Sequence, residues 1–212
     1  MGKAFYNLSC EELCDLMCGK PEEDYEDEED MGRGASKMAA SGNSLAGVKI
    51  DEKVANNPKF ADSIKLLNNL AGEYNTRLGE ISTGAERGAG EVDISGYTLK
   101  INSNDPATAT HEFAHTLANS SADKFGLTND KAFWDEIKAV KKEYRKNAGD
   151  NTNKWISSYE HGLNDVDEFF AEAFTHSKLK QMGIASKKNY GNDYTYSDKV
   201  LAITDKYFKK RK

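Results

Sequence analysis

Apolar residues recur at helical spacing at Phe60, Ile64, Leu67, Leu70 and Tyr74, and this predicts an amphipathic helix entered through Pro58. The pattern then breaks over Gly84, Gly88 and Gly90. From Glu91 to Asn102 the apolar positions Val92, Ile94, Tyr97, Leu99 and Ile101 flank Ser95 and Gly96, a period suited to two short strands or one kinked strand. Asp105 and Pro106 form an N-cap and first-turn pair, so a helix is expected from Pro106 to Ala118 or Asn119. A further helix over 128–147 shows Phe133, Trp134, Ile137, Val140 and Tyr144 as its apolar stripe. Two more are expected over Asp165–Leu179 and Ser197–Lys210.

Many helices, few strands and no internal repeat predict an α+β domain over 48–212, with one small β-sheet and a mainly helical C-terminal half. Ahead of it, residues 1–20 predict a short helix, and 21–47 an acidic and then Gly/Ser/Ala-rich linker. Residues 22–30 carry eight acids and no base, and without them the net charge of −6 becomes +2. Such a block repels itself and buries little apolar area, so a disordered acidic tail is expected there. The basic end, Lys209, Lys210, Arg211 and Lys212, reads as a frayed, solvated helix terminus rather than a nucleic-acid patch.

No apolar run approaches the ~20 residues of a membrane helix, and residues 1–7 lack the regions of a secretory signal. The expectation is a cytoplasmic product or a piece of a larger protein. All three cysteines, Cys10, Cys14 and Cys18, fall on one stripe of the first helix, which Ser9 and Glu12 could cap. Their spacing lies one residue away from an iron–sulfur pattern and no fourth ligand is near, so a reduced helix face with Leu13, Leu16 and Met17 is expected.

The strongest chemical signal is His111-Glu112-Phe113-Ala114-His115, which spends half of the chain's four histidines. On a helix, residues i and i+4 share a face, so two imidazoles can converge on one ion, with a glutamate between them in reach of water on that ion. Two surface histidines on an amphipathic helix are the plain alternative. A catalytic zinc site needs a third protein ligand and one open position. The downstream candidates are Glu160, His161, Asp165, Asp167, Glu168, Glu172 and His176. Residues 167–174 are apolar on nearly every side apart from Glu168 and Glu172, and this marks a buried helix. Two carboxylates one turn apart in such a setting need a cation or donors facing them. Glu168 is expected as the third ligand. Glu172 is expected to accept from the other ring nitrogen of a ligand histidine. The reverse assignment stays open, because both carboxylates point the same way. His176, Trp134 and Trp155 read as packing residues.

HEFAH at 111–115, Ser157-Ser158-Tyr159-Glu160, and EFFAEAF at 168–174 occur in that order. Together they resemble the zinc metallopeptidase family of anthrax lethal factor and the Pro-Pro endopeptidases, over roughly residues 91–179. The resemblance implies a zincin-like fold, a gluzincin-type site and a Zn2+ cofactor, with Glu168 as the third ligand and a tyrosine matching Tyr159 donating to the oxyanion. Tyr159 stands nine residues before Glu168, farther than the family pattern, which leaves His161 as a rival donor. On this reading His111, His115 and Glu168 hold the metal, Glu112 is the general base, and an extended protein or peptide substrate adds as a strand along 92–102. Similar domains are fused to phage head-morphogenesis proteins. The second expectation is therefore a phage or mobile-element structural component, virion-associated, with an assembly-linked or idle protease-like domain.

Overall fold

The computed structural model describes residues 45–86, 88–93, 97–118, 131–148, 156–157, 165–186 and 190–210. All lie in the second of two contact-defined units, Ala40–Lys212. The expected first helix with its three cysteines, the acidic tail, Trp155, Tyr159 and His161 lie outside the described residues.

The described chain is α+β, with six α-helices and one mixed four-stranded sheet. β1 (Lys49–Ile50) leads into α1 (Glu52–Ala55), and a 3-10 turn at Pro58–Phe60 opens α2 (Ala61–Glu73). β2 (Glu80–Ser82), β3 (Gly90–Val92) and β4 (Thr98–Ile101) precede α3 (Pro106–Ala118). α4 (Lys131–Ala148), α5 (Val166–Met182) and α6 (Thr195–Phe208) complete the domain. None of these helices is long and apolar enough to cross a membrane.

The sheet order is β1-β2-β4-β3, with β1–β2 and β2–β4 parallel and β3–β4 antiparallel. The pattern at 92–102 therefore resolves into two strands. Of these two strands β3 alone is at an edge of the sheet, the other edge being β1, because β4 is held between β2 and β3, and this corrects the expectation of one open edge along 92–102. The Asp93 amide donates to the Thr98 carbonyl at 3.0 Å, and that of Asn102 to Ala89 at 2.8 Å. Hydrogen-bonded and non-bonded pairs alternate in an antiparallel ladder. Gly90 and Val92 accordingly turn their backbone N–H and C=O groups away from β4, toward the outer side of the sheet.

α3 starts where its cap residues dictate. Asp105 Oδ1 accepts from the Ala107 amide at 3.0 Å, and Pro106 takes the first-turn position, where no amide is needed. The helix is rich in small residues, and Ala107, Ala109, Ala114 and Ala118 are buried, which lets neighbouring elements approach it closely. α5 packs across it. Asp165 caps α5 through the Asp167 amide at 3.1 Å, and Gly183 ends it in the left-handed region at φ 65°.

Phe169, Phe170 and Phe174 on α5 are fully buried. Phe170 meets Phe133 edge-on at 5.3 Å, Phe174 meets Tyr74 at 5.7 Å, and Phe169 lies 5.4 Å from Tyr144. Each buried phenylalanine contributes roughly 1.5–3 kcal/mol. Together they anchor a helix that also carries charged side chains inward. Lys178 is one of these, buried against Glu73 and Tyr74, with the Tyr74 hydroxyl in turn donating to Asp205 at 2.6 Å. This network ties α2, α5 and α6 together.

One expectation changes at the domain's far end. Lys209 reaches Glu73 at 3.0 Å and Asp205 at 2.8 Å, and Lys210 donates to the Ala71 carbonyl at 2.7 Å. These two lysines fasten the end of α6 to α2, where a frayed terminus was expected. His176 and Trp134 do pack. His176 stacks between Tyr190 and Tyr194, at 5.2 and 4.0 Å, and Trp134 lies edge-on to Phe133 and Phe170.

Candidate metal centre

α3 and α5 bring His111, His115 and Glu168 together, with one ligand atom of each within 4.8 Å of the others. The two histidines are one helical turn apart, and their Nε2 atoms lie 3.1 Å from each other. Glu168 faces both, with Oε2 3.3 Å from His111 Nε2 and Oε1 3.5 Å from His115 Nε2. Zinc–ligand bonds of ~2.0–2.1 Å at tetrahedral angles place neighbouring ligand atoms about 3.3 Å apart. The Nε2–Nε2 separation and the closest approach of a Glu168 oxygen to each Nε2 are near that value, although the two approaches use different oxygens of the carboxylate.

The opposite ring nitrogens also face carboxylates. His111 Nδ1 is 3.0 Å from Glu172 Oε1, and His115 Nδ1 is 3.3 Å from Asp167 Oδ2. Glu172 is fully buried, and a buried carboxylate needs a proton donor facing it. A proton on His111 Nδ1 would face Glu172 and one on His115 Nδ1 would face Asp167, the former close in distance but not aligned as a hydrogen bond, and these tautomers turn the two Nε2 lone pairs toward each other. Two lone pairs and a carboxylate oxygen within this distance repel unless a cation or extra protons sit among them. The cluster also carries more carboxylates than imidazoles, a surplus of negative charge that a divalent cation offsets. On donor type, spacing and charge, these residues fit a metal such as zinc.

Titration behaviour has the same cause. Burial alone lowers the pKa of each imidazole, yet Glu168 and Glu172 carry His111 upward, and Asp167 and Glu168 lift His115 to about 10. Burial opposes ionisation of Glu168, but the two imidazoles hold its carboxyl well below the usual carboxylate range. Without a metal the cluster thus holds protons where the ion would sit.

The geometry separates the two glutamates that the sequence left interchangeable, since Glu168 faces the Nε2 atoms and Glu172 an Nδ1 atom. The Glu168 side chain retains 36% exposure, less buried than its apolar neighbours implied, so the site opens toward solvent on that side. Asp167 is the residue that sequence reasoning left without a role. Its signal was adjacency to Glu168 at the start of α5, and the crossing of α3 over α5 turns that into a contact with His115. Glu112 is buried on α3 beside β3.

The carboxylates behind the rings carry a quantitative expectation. Glu172→Gln should weaken zinc affinity by about 10–100-fold. Asp167→Asn should weaken it less, because Asp167 is 35% exposed and water can replace part of its contact. Competition against a chromogenic chelator measures both; wild-type affinity in Glu172→Gln would show that Glu172 does not support the ligand set.

No protein-family model, curated protein or solved structure matches the chain.

Proposed function

We propose that this chain is a zinc-dependent endopeptidase of the gluzincin type, in which His111, His115 and Glu168 hold the metal and Glu112 is the general base. The observation that carries the reading is the convergence of two Nε2 atoms and one carboxylate, at 3.1–3.5 Å, with a carboxylate behind each ring. Ligands supported in this way are the arrangement expected of a centre tuned for chemistry. The kinship with lethal-factor-like and Pro-Pro endopeptidases, read from the order of HEFAH, the Tyr159 segment and EFFAEAF, belongs to the proposal, and so does a zincin-like fold.

A bound zinc ion would supply Lewis acidity, drawing the pKa of a coordinated water toward ~7 and polarising a peptide carbonyl. Glu172 and Asp167 fix the tautomers of His111 and His115 and hold the rings in place. Glu112 takes a proton at its carboxylate from the attacking water and returns it to the nitrogen of the leaving amine. Tyr159 and His161 are the two candidates for donating to the developing oxyanion. The outward backbone groups of Gly90 and Val92, on a strand beside Glu112, suit an extended peptide that adds to β3 and passes the base. In place of the full 92–102 stretch, β3 alone is the docking edge.

The test is metal analysis of the purified protein combined with cleavage profiling against a diverse peptide library. One zinc per chain, lost in His115→Ala, together with cleavage that a chelator stops and zinc restores, is the expected result. A wild type that takes up no zinc sinks the proposal at its root. Stoichiometric zinc without cleavage leaves the metal centre standing and removes the peptidase.

A further inference from the structure

β3 contains a glycine whose backbone does not require one. Gly90 is absent from the four glycines with positive φ, so an alanine could adopt its conformation. Glycine also weakens a strand, and within one it often marks a close approach of another group. The approaching group here is Glu112. A Cβ placed on Gly90 would lie 2.6 Å from Glu112 Cγ, 2.7 Å from Oε1 and 2.9 Å from Cδ, against the ~3.5–4.0 Å of a favourable carbon contact.

α3 has little room to yield to such a group. Phe113, Ala114 and Leu117 on the same helix are fully buried, and α5 packs behind it. The side chain of Glu112 is the part that can move. Its carboxylate lies along β3 because position 90 carries nothing beyond a hydrogen atom.

Resting on the hydrolase reading above, we infer that Gly90 is a positioning residue for Glu112: its missing side chain leaves the space beside the edge strand that the base occupies. The three heavy atoms nearest to a Cβ at Gly90 all belong to Glu112, so the group displaced first is the base and not a member of the metal triad. A substitution at Gly90 therefore separates placement of the base from assembly of the metal site.

Gly90→Ala is expected to bind zinc as the wild type does and to lose roughly 10²-fold in kcat, with KM little changed. In an Glu112→Asp background the carboxylate is withdrawn by one methylene, and the same substitution should cost little further. A second measurement needs no activity. Gly90→Ala should lower Tm in the wild-type background and raise it in Glu112→Ala, where the obstructing atoms are gone and alanine is the better strand residue. Wild-type kcat in a zinc-loaded Gly90→Ala protein, or the same Tm change in both backgrounds, overturns the inference. Failure of the underlying reading looks different: zinc-loaded wild type then cleaves nothing. In that case the catalytic meaning of the contact falls with it, although the Tm cycle still reads the contact itself.

Discussion

Glu112→Gln is expected to keep its zinc and to lose peptide hydrolysis by about 10²–10⁴-fold in kcat/KM, the contribution of a positioned general base. The substitution preserves size and shape, so the contact with Gly90 is undisturbed, and it removes only the ability to take a proton. Glu112 stands outside the ligand triad of His111, His115 and Glu168, so metal content should stay at the wild-type level. Because the base acts in the transition state, the loss should fall on kcat, leaving KM near its original value. Zinc analysis and steady-state kinetics on one peptide read all three quantities. A Glu112→Gln protein within tenfold of wild type would move the base elsewhere.

The features legible in the sequence are those whose signal is local. HEFAH could be placed on a helix because Asp105 and Pro106 announce the start of α3 and the i, i+4 spacing fixes a common face. Glu168 and Glu172 stood out because charge amid Phe169, Phe170, Ala171, Ala173 and Phe174 demands a partner. Their division of labour was not legible, since helical spacing gives both the same direction. Only the crossing of α5 over α3 turns one toward the Nε2 atoms and the other toward Nδ1. Asp167 escaped for the same reason, as its contact with His115 depends on how two helices meet across the sequence. β1 and β2 have two and three residues, too few to show a period, and their parallel pairings join distant segments. That omission hid the enclosed position of β4. It also left β3 and β4 looking like one exposed edge. Lys209 and Lys210 read as solvated because a charge run reveals its own repulsion but not the acids and carbonyls of α2 that receive it.

Zinc is expected to stabilise this protein more at pH 8 than at pH 5.5, and the sign follows from the protons that the cluster holds when no metal is bound. The pKa of His115 rises from an ordinary ~6.5 to about 10 in the metal-free fold, where Asp167 and Glu168 overcome the opposing effect of burial. A raised pKa contributes stability that is fully present below ~6.5 and is lost as pH rises through about 10. Glu168 acts in the opposite sense. Its pKa is depressed, so its contribution is present above the ordinary ~4.3 and is lost as pH falls. The cluster therefore favours the metal-free fold most between about pH 4.5 and 6.5. Zinc must displace those protons from Nε2, so its affinity climbs through the range in which the metal-free protein weakens. At a free zinc concentration about 100 times Kd the gain is about 2.7 kcal/mol, a rise in Tm of roughly 5–10 °C for a domain of this size. At pH 5.5 and the same zinc concentration the rise should shrink, because protonated histidines compete for the site. His115→Ala should abolish the zinc-dependent rise at both pH values, and it should also flatten the decline of the metal-free protein between pH 6.5 and 10. Thermal scans with and without zinc at the two pH values decide the matter. A zinc-induced shift of equal size at both, or one that survives His115→Ala, would place the ion at another site.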